Sequence, residues 1–381
     1  MAYKRQLDLL KILEKKSFFL MGPRSTGKSF LIKNTLEKSI LKINLNNTDI
    51  YLRLLQEPSL LIDMIQSQKS KYVVIDEIQK IPMLLDEVHN LIEDENIKFI
   101  LTGSSARKLK RGQANMLGGR AAMINMHPLS YSEITKFNLK KYLNVGGIPR
   151  IYDSNDPDLE LDAYVGTYLE EEIKAEVQIR NLAPFARFLK TAALHNSELL
   201  NYTNIGSDCG LSANTVREYY TVLQDTLIGT LLEPWLESKK RKAIQTAKFY
   251  FFDCGVARVL KGLSRIEENS ADFGQALEHF ILLEIKAYIS YRQKRNKIYF
   301  WRNTSKHEVD FIIDNEIAIE VKASNKISEK HVLGLRALKE EKIIKKYYVV
   351  SQDKINRKTN DGFELIYWQN FLDVLWTGQI F

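Results

Sequence analysis

Residues 16 to 38, "KSFFLMGPRSTGKSFLIKNTLEK", constrain the fold more than any other stretch of this 381-residue chain. Ser17 to Met21 is a short apolar run of strand type, and Phe30 to Leu36 opens an apolar helical period. Between them Gly22 to Ser29 fits G-x-x-x-x-G-K-[ST], so strand, loop and helix come in the order a phosphate cradle needs. Gly22, Pro23, Arg24, Ser25, Thr26 and Gly27 form the loop, whose backbone N–H groups close around phosphates at the positive end of the following helix. Lys28 is expected to reach the β- and γ-phosphates and Ser29 to ligate magnesium, which makes ATP and Mg2+ the expected cofactors.

A second apolar run, "KYVVIDEIQKIP", has the form of a buried parallel strand that delivers Asp76 and Glu77 to a ligand crevice at its C-terminal end. Asp76 is expected to hold magnesium through water and Glu77 to orient or deprotonate the attacking water, a pair that points to hydrolysis; the competing reading is a helix cap. A third strand, "IKFILTGSSARKL", ends in Thr102, Ser104 and Ser105, any of which could hydrogen-bond the γ-phosphate or the lytic water. Three alternating strand and helix units argue for a parallel sheet wrapped by helices.

A chain of this length exceeds one ordinary core and implies two or three domains. With 45% hydrophobic and 27% charged residues it belongs to the globular class. No apolar run is long enough for a bilayer and no leader pattern opens the chain, so the expectation is a cytoplasmic protein without a membrane partner. Cys209 and Cys254 are too few for a disulfide framework or a cysteine-based zinc site. A formal charge of +8 is compatible with a polyanionic partner and equally with a solvated, lysine-rich surface.

The stretch from "HPLSYSEITKF" to "EEEIKAEV" has a helical pattern broken by Gly146, Gly147 and Pro149, which suits a lid beside a nucleotide. The acidic run Glu170 to Glu172 reads as a solvated helix face. "ELLNYTNIGSDCGLSANTVREYYTVLQDTLIGTLLEPW" carries a helix-turn-helix signature: one helix ends at Cys209 and Gly210, and Ser212 caps the next. Val216, Tyr219, Tyr220 and Leu223 form the apolar stripe of that second helix. Asn214, Thr215, Arg217 and Glu218 take its exposed positions, open either to DNA or to a protein contact.

"KFYFFDCGVARVL" is expected to open the C-terminal unit with a strand, followed by a helix carrying Glu278, the strand "KIYFWRN" and the hairpin "HEVDFIIDNEIAIEVKAS". Residues two apart share a face of a strand, so Glu308 pairs with Asp310 and Glu320 with Lys322, and a turn at Asp314 and Asn315 brings Asp310 near Glu320 and Lys322. Either this is a metal-dependent phosphodiester site or the charges lie at a sheet edge facing water. Arg292, Lys294, Arg295, Lys297 and Arg302, with Trp301 among them, are expected to contact a phosphate backbone or to form a solvated turn.

The stretches "GPRSTGKS", "VVIDEIQK", "LTGSSARKL", "LGGR", "HPLSYSEI", "GGIPR", "YFFDCGVA", "GQALEHF", "HEVDFII" and "IEVKAS", in this order, resemble prokaryotic AAA+ type ATPases followed by a winged-helix segment and a nuclease-like C-terminal domain. Glu278, Asp310, Glu320 and Lys322 resemble the core of PD-(D/E)XK nucleases, with Val309 where those have proline before the aspartate. The resemblance implies that Asp310 and Glu320 hold magnesium, Lys322 stabilises the nucleophile or the pentavalent charge, and Glu278 completes the metal shell. It also implies an arginine that stabilises the transferred phosphoryl group, Arg120 first and Arg107 behind it, with a surface ion pair as the competing reading of Arg120.

The expected fold is therefore α/β: a P-loop NTPase core of AAA+-like type with a parallel sheet (1–125), a helical lid (126–184), a winged helix (185–240) and an α/β nuclease-like domain (241–381). The expected function is an ATP-hydrolysing protein acting on DNA, with a homo-oligomer or a protein partner possible. The alternative is a regulatory ATPase switch whose nuclease-like domain cuts nothing.

Overall fold

The computed structural model describes residues 3–36, 40–103, 117–169 and 182–381. Ser104, Ser105, Arg107 and the run Glu170 to Glu172 lie outside the described residues. The chain divides into two compact units, one of Met1–Leu129 with Asp225–Ile228 and Ser290–Gln293, the other of Ser130–Gln224, Gly229–Ile289 and Lys294–Phe381. Among the described residues no helix is long and apolar enough to cross a membrane.

In the first unit β1 (Ser17–Met21), β2 (Leu41–Asn44), β3 (Tyr72–Asp76), β4 (Lys98–Gly103) and β5 (Ala121–Asn125) form a parallel sheet in the order β2-β3-β4-β1-β5. β1 lies in the interior and is buried along its whole length, which is why its sequence reads as a continuous apolar run. The two edge strands escape the periodic signal. β2 has four residues and buries only alternate ones, and β5 is half-buried for most of its length. Leu84, Leu85, Val88 and Leu91 of the helix Leu84–Asp94 pack with Phe19, Val73, Ile75, Phe99 and Leu101 to close one core.

In the second unit the helices Leu182–Leu194, Tyr202–Cys209 and Ala213–Asp225 are followed by β6 (Gly229–Leu232). β6 pairs antiparallel with β7 (Lys248–Phe251). The strand expected to open the C-terminal unit therefore belongs to a two-stranded sheet reaching back across residue 240, and Leu199 adds a bridge to Lys248. Gly210 takes the left-handed conformation at φ 68°, and Ser212 Oγ accepts the Thr215 N–H at 3.1 Å, so the turn between the last two helices is closed by its own side chains. Val216, Tyr220 and Leu223 are buried, while Asn214, Arg217 and Glu218 are exposed.

A mixed six-stranded sheet follows, in the order β12-β13-β11-β10-β9-β8, built from β8 (Ile298–Arg302), β9 (Glu308–Ile313), β10 (Ile317–Lys322), β11 (Lys346–Ser351), β12 (Arg357–Lys358) and β13 (Glu364–Tyr367). β9 and β10 are interior strands, antiparallel to each other, and β10 runs parallel to β11. The hairpin is thus not a sheet edge. Trp301, expected among nucleic-acid contacts, is instead fully buried against Trp235 and Val309 in the core of this sheet.

The "GGIPR" and "YFFDCGVA" stretches meet. Asp253 is fully buried and accepts the N–H of Gly147 at 2.7 Å and of Val256 at 3.0 Å. Burial pushes its carboxyl up to about 6 against the pull of these donors. Gly146 sits at φ 78°, and a Cβ there would stand 1.9 Å from Asp253 Oδ1. Gly146→Ala is accordingly expected to destabilise the second unit by about 3–5 kcal/mol, read as a lower urea midpoint at unchanged slope.

Candidate functional site

The loop after β1 is shaped by two left-handed residues, Ser25 at φ 62° and Gly27 at φ 97°. Alternation of left- and right-handed conformations turns successive N–H groups inward as an anion nest, and Gly27 immediately precedes the helix Lys28–Thr35. Thr26 is buried and its Oγ1 donates to the Pro23 carbonyl at 2.8 Å, closing the loop, while Arg24 and Ser25 are exposed. The Lys28 ammonium lies within the same loop, donating to the carbonyls of Gly22 at 2.6 Å and Pro23 at 3.1 Å.

Asp76, at the end of β3, is where the chemistry converges. Ser29 Oγ donates to Asp76 Oδ2 at 3.2 Å and Thr102 Oγ1 donates to Asp76 Oδ1, so a hydroxyl from the helix start and one from β4 bracket a single carboxylate. The Glu77 N–H donates in turn to Thr102 Oγ1 at 3.0 Å. Glu77 stands at φ 65°, an uncommon conformation for a residue with a side chain, and its Oε2 accepts from Gln79 Nε2. Gln79 is the residue of this site that motif reading missed; its only signal was the position two after Glu77 in "DEIQK". One carboxylate beside a serine hydroxyl matches the way Mg2+ is held, with few protein oxygens and the rest from phosphate and water.

The C-terminal residues also come together. The register of β9 and β10 pairs Ile319 with Phe311, which sets Asp310 opposite Glu320 at the next step. Asp310 and Glu320 are 6% and 5% exposed, so the water-facing reading of these charges does not hold. Asp310 Oδ2 accepts the Val321 N–H at 2.7 Å, Glu320 Oε1 pairs with Lys322, and Glu320 Oε2 is buried without a hydrogen-bond partner. Burial, then Glu278, raises the Asp310 carboxyl; burial, then Asp310, raises that of Glu320; and the carboxylates raise Lys322 against its own desolvation.

Glu278 lies near this group but is bonded to a lysine and a tyrosine. Its Oε1 accepts from Lys248 Nζ at 3.2 Å and from the Tyr250 hydroxyl at 2.5 Å, and the same ammonium meets Glu308 at 2.5 Å. Lys248 and Tyr250 lie on β7, whose sequence reads only as an apolar strand. Among the described residues no group of three or more His, Cys, Asp or Glu is arranged to hold a metal ion.

Comparison with known proteins fits this division. Residues 14–135 match a family described as AAA domain, while residues 136–267 and 273–371 each match a domain of unknown function. The first unit carries a nucleotide-binding AAA-type domain. An uncharacterized protein of Methanocaldococcus jannaschii is 24% identical, covering 94% of this chain and 85% of its own length. One of Haemophilus influenzae is 22% identical over 74% of this chain and 75% of its own length. A structure of the replication initiator DnaA bound to AMPPCP and single-stranded DNA overlaps 58% of this chain and 89% of its own, with 9% identity and a TM-score of 0.31.

Within the AAA domain Arg120 does not join the phosphate loop. β5 runs parallel to β1 with Ala121 beside Ser17, so Arg120 stands at the start of β1 while the loop follows its end, about 16 Å away along five residues of strand. Its Nε pairs with Glu93, and both side chains are substantially exposed. This register sets Arg120 at the rim of the sheet opposite its own phosphate loop.

Two buried acids of the second unit give a pH signature. Glu284 accepts the Tyr131 N–H at 2.7 Å and Trp376 Nε1 at 2.8 Å, and burial pushes it up to about 8; Glu320 is raised in the same direction. A carboxyl raised on folding keeps a proton that the unfolded chain has released, so its stabilisation is lost as pH climbs through the folded value. His279, lowered to about 4 by burial, and Lys286, lowered to about 8 by burial, each oppose the trend in part, the histidine near pH 6.5 and the lysine near pH 8, and the two acids outweigh them across the window. Melting of the second unit should therefore shift to lower temperature between pH 6.5 and pH 8, as measured by calorimetry.

Proposed function

We propose that this protein is a Mg-dependent ATPase that couples its nucleotide state to a winged helix and a nuclease-like sheet acting on DNA. The convergence of Ser29 and Thr102 on the Asp76 carboxylate, at the strand end that also bears the Gly22–Gly27 loop, carries the reading. Lys28 swings from the loop carbonyls to the β- and γ-phosphates, and the N–H groups of the loop bind the remaining oxygens. Mg2+, held by Ser29 and by Asp76 through water, supplies charge neutralisation at the phosphates. Glu77, fixed by Thr102 and Gln79, orients the attacking water, and Thr102 is placed to sense the γ-phosphate. Ser104, which follows β4 in the sequence, serves on this reading as a further phosphate ligand.

Arg120 supports assembly. An arginine at the opposite end of the sheet from its own loop reaches a transferred phosphoryl group only in a neighbouring copy, which makes a homo-oligomer the working state of this reading. Lys28→Ala is expected to abolish ATP binding in calorimetry. Glu77→Gln is expected to keep binding while kcat falls at least about 100-fold; wild-type turnover by that variant would show that Glu77 does not orient the water.

DNA as the partner is supported by a basic turn of the second unit. Ser238 Oγ and the N–H groups of Lys239 and Lys240 donate to the buried Glu341 carboxylate at 2.8, 2.8 and 2.9 Å. With the backbone pinned in this way, the side chains of Lys239 and Lys240 are exposed, and Lys242 follows them in the same turn. Replacing the three lysines by alanine should weaken DNA binding across sequences and reduce the slope of log K against log salt by about 0.9 for each phosphate no longer neutralised. An unchanged slope would turn the reading toward a protein partner.

The second reading, a regulatory switch whose nuclease-like sheet binds without cutting, is favoured by one observation, the commitment of Glu278 to Lys248 and Tyr250. On that reading the protein leaves DNA and RNA intact with magnesium or manganese. Loss of Mg-dependent cleavage on Asp310→Ala or Lys322→Ala would mark the cutting alternative instead.

A further inference from the structure

The resemblance of the C-terminal residues to a nuclease core asks for a divalent metal among Glu278, Asp310 and Glu320, and the side chains do not fit one. Mg2+ takes oxygen ligands at about 2.0–2.1 Å in near-octahedral order and keeps several waters. Here the space beside Glu278 is filled by the end of a lysine. Lys248 is 3% exposed, its ammonium lies 3.2 Å from Glu278 and 2.5 Å from Glu308, and the Phe300 ring centroid stands 5.4 Å away. Tyr250, two residues along the same strand, donates its hydroxyl to the same Glu278 oxygen. Arg302 reaches the other oxygen of Glu308 at 2.9 Å, and Lys322 pairs with Glu320. The carboxyl groups of Glu278, Glu308, Asp310 and Glu320 thus face the cationic ends of Lys248, Arg302 and Lys322, all belonging to this chain.

We infer that the Lys248 ammonium is the resident cation of this carboxylate cluster, filling the place where a divalent metal is expected, and that Glu278 positions this lysine instead of ligating metal. The arrangement is self-maintaining. Withdrawing one partner from a buried ion pair strands an uncompensated charge, so the lysine stays and the carboxylates cannot close on a metal around it. The inference stands apart from the ATPase reading, because every group it uses lies in the second unit.

The test is Mn2+ binding to the full chain, with Asp76→Asn present throughout to silence the nucleotide site, followed by calorimetry and by the rise in melting temperature that a bound ion produces. Lys248→Met keeps most of the side-chain length, ends one atom short of the ammonium and removes its charge. It should bind Mn2+ at least tenfold more tightly than the parent, and Lys248→Met/Glu278→Gln should lose that gain. A Lys248→Met chain that is unfolded alone and folds on adding Mn2+ supports the inference equally. A folded Lys248→Met chain with the parent's affinity overturns it. So does a parent that binds Mn2+ at Asp310 and loses tenfold or more on Glu278→Gln, a measurement that needs no lysine variant.

Discussion

One carboxylate organises the first unit. Asp76 receives a hydroxyl from the helix that follows the phosphate loop and another from the neighbouring strand, and through Thr102 it also fixes the backbone of Glu77. The parallel sheet makes this possible, since every strand delivers its C-terminal residue to the same rim. Were β3 to slip by one residue against β4, Asp76 would turn to the other face, away from the Ser29 and Thr102 hydroxyls, and the proposed magnesium and water roles would be lost together. Register, held by a core running from Phe19 to Leu101, is thus the quantity on which the proposed phosphate chemistry depends.

The most legible parts of the sequence were those where chemistry leaves little choice of residue. A backbone that must turn left-handed before a helix asks for Gly27, and a strand buried on both faces reads as "SFFLM" or "YVVID". The hairpin at Asp314 and the pairing of Asp310 with Glu320 followed from strand parity alone. What stayed hidden was long-range. β2 and β5 are short edge strands whose pattern is too weak to count. The partner of β7 could not be read from its own residues, so Lys248 reads as the first residue of an apolar strand although its ammonium is an electrostatic hub. Trp301 was misplaced for the same reason: a tryptophan among lysines and arginines suggests a stacking surface until the sheet behind it is known.

Gln79 and Glu341 show a related limit. Both act by holding something else, Gln79 the Glu77 side chain and Glu341 a run of backbone amides about a hundred positions away. Supporting groups of this kind carry no motif, because many residue types could donate or accept at the same point.

The buried lysine has a mechanical side as well. It is anchored on the two-stranded sheet that follows the three helices, yet its charge terminates on a long helix and on an interior strand of the larger sheet. Any swing of the helical module away from that sheet would have to part a desolvated ammonium from its countercharges before water reached either, which sets a barrier to opening and adds little net stability. The joint therefore behaves as a sprung catch: small tilts are resisted, and a pull strong enough to break it would release the module in a single step.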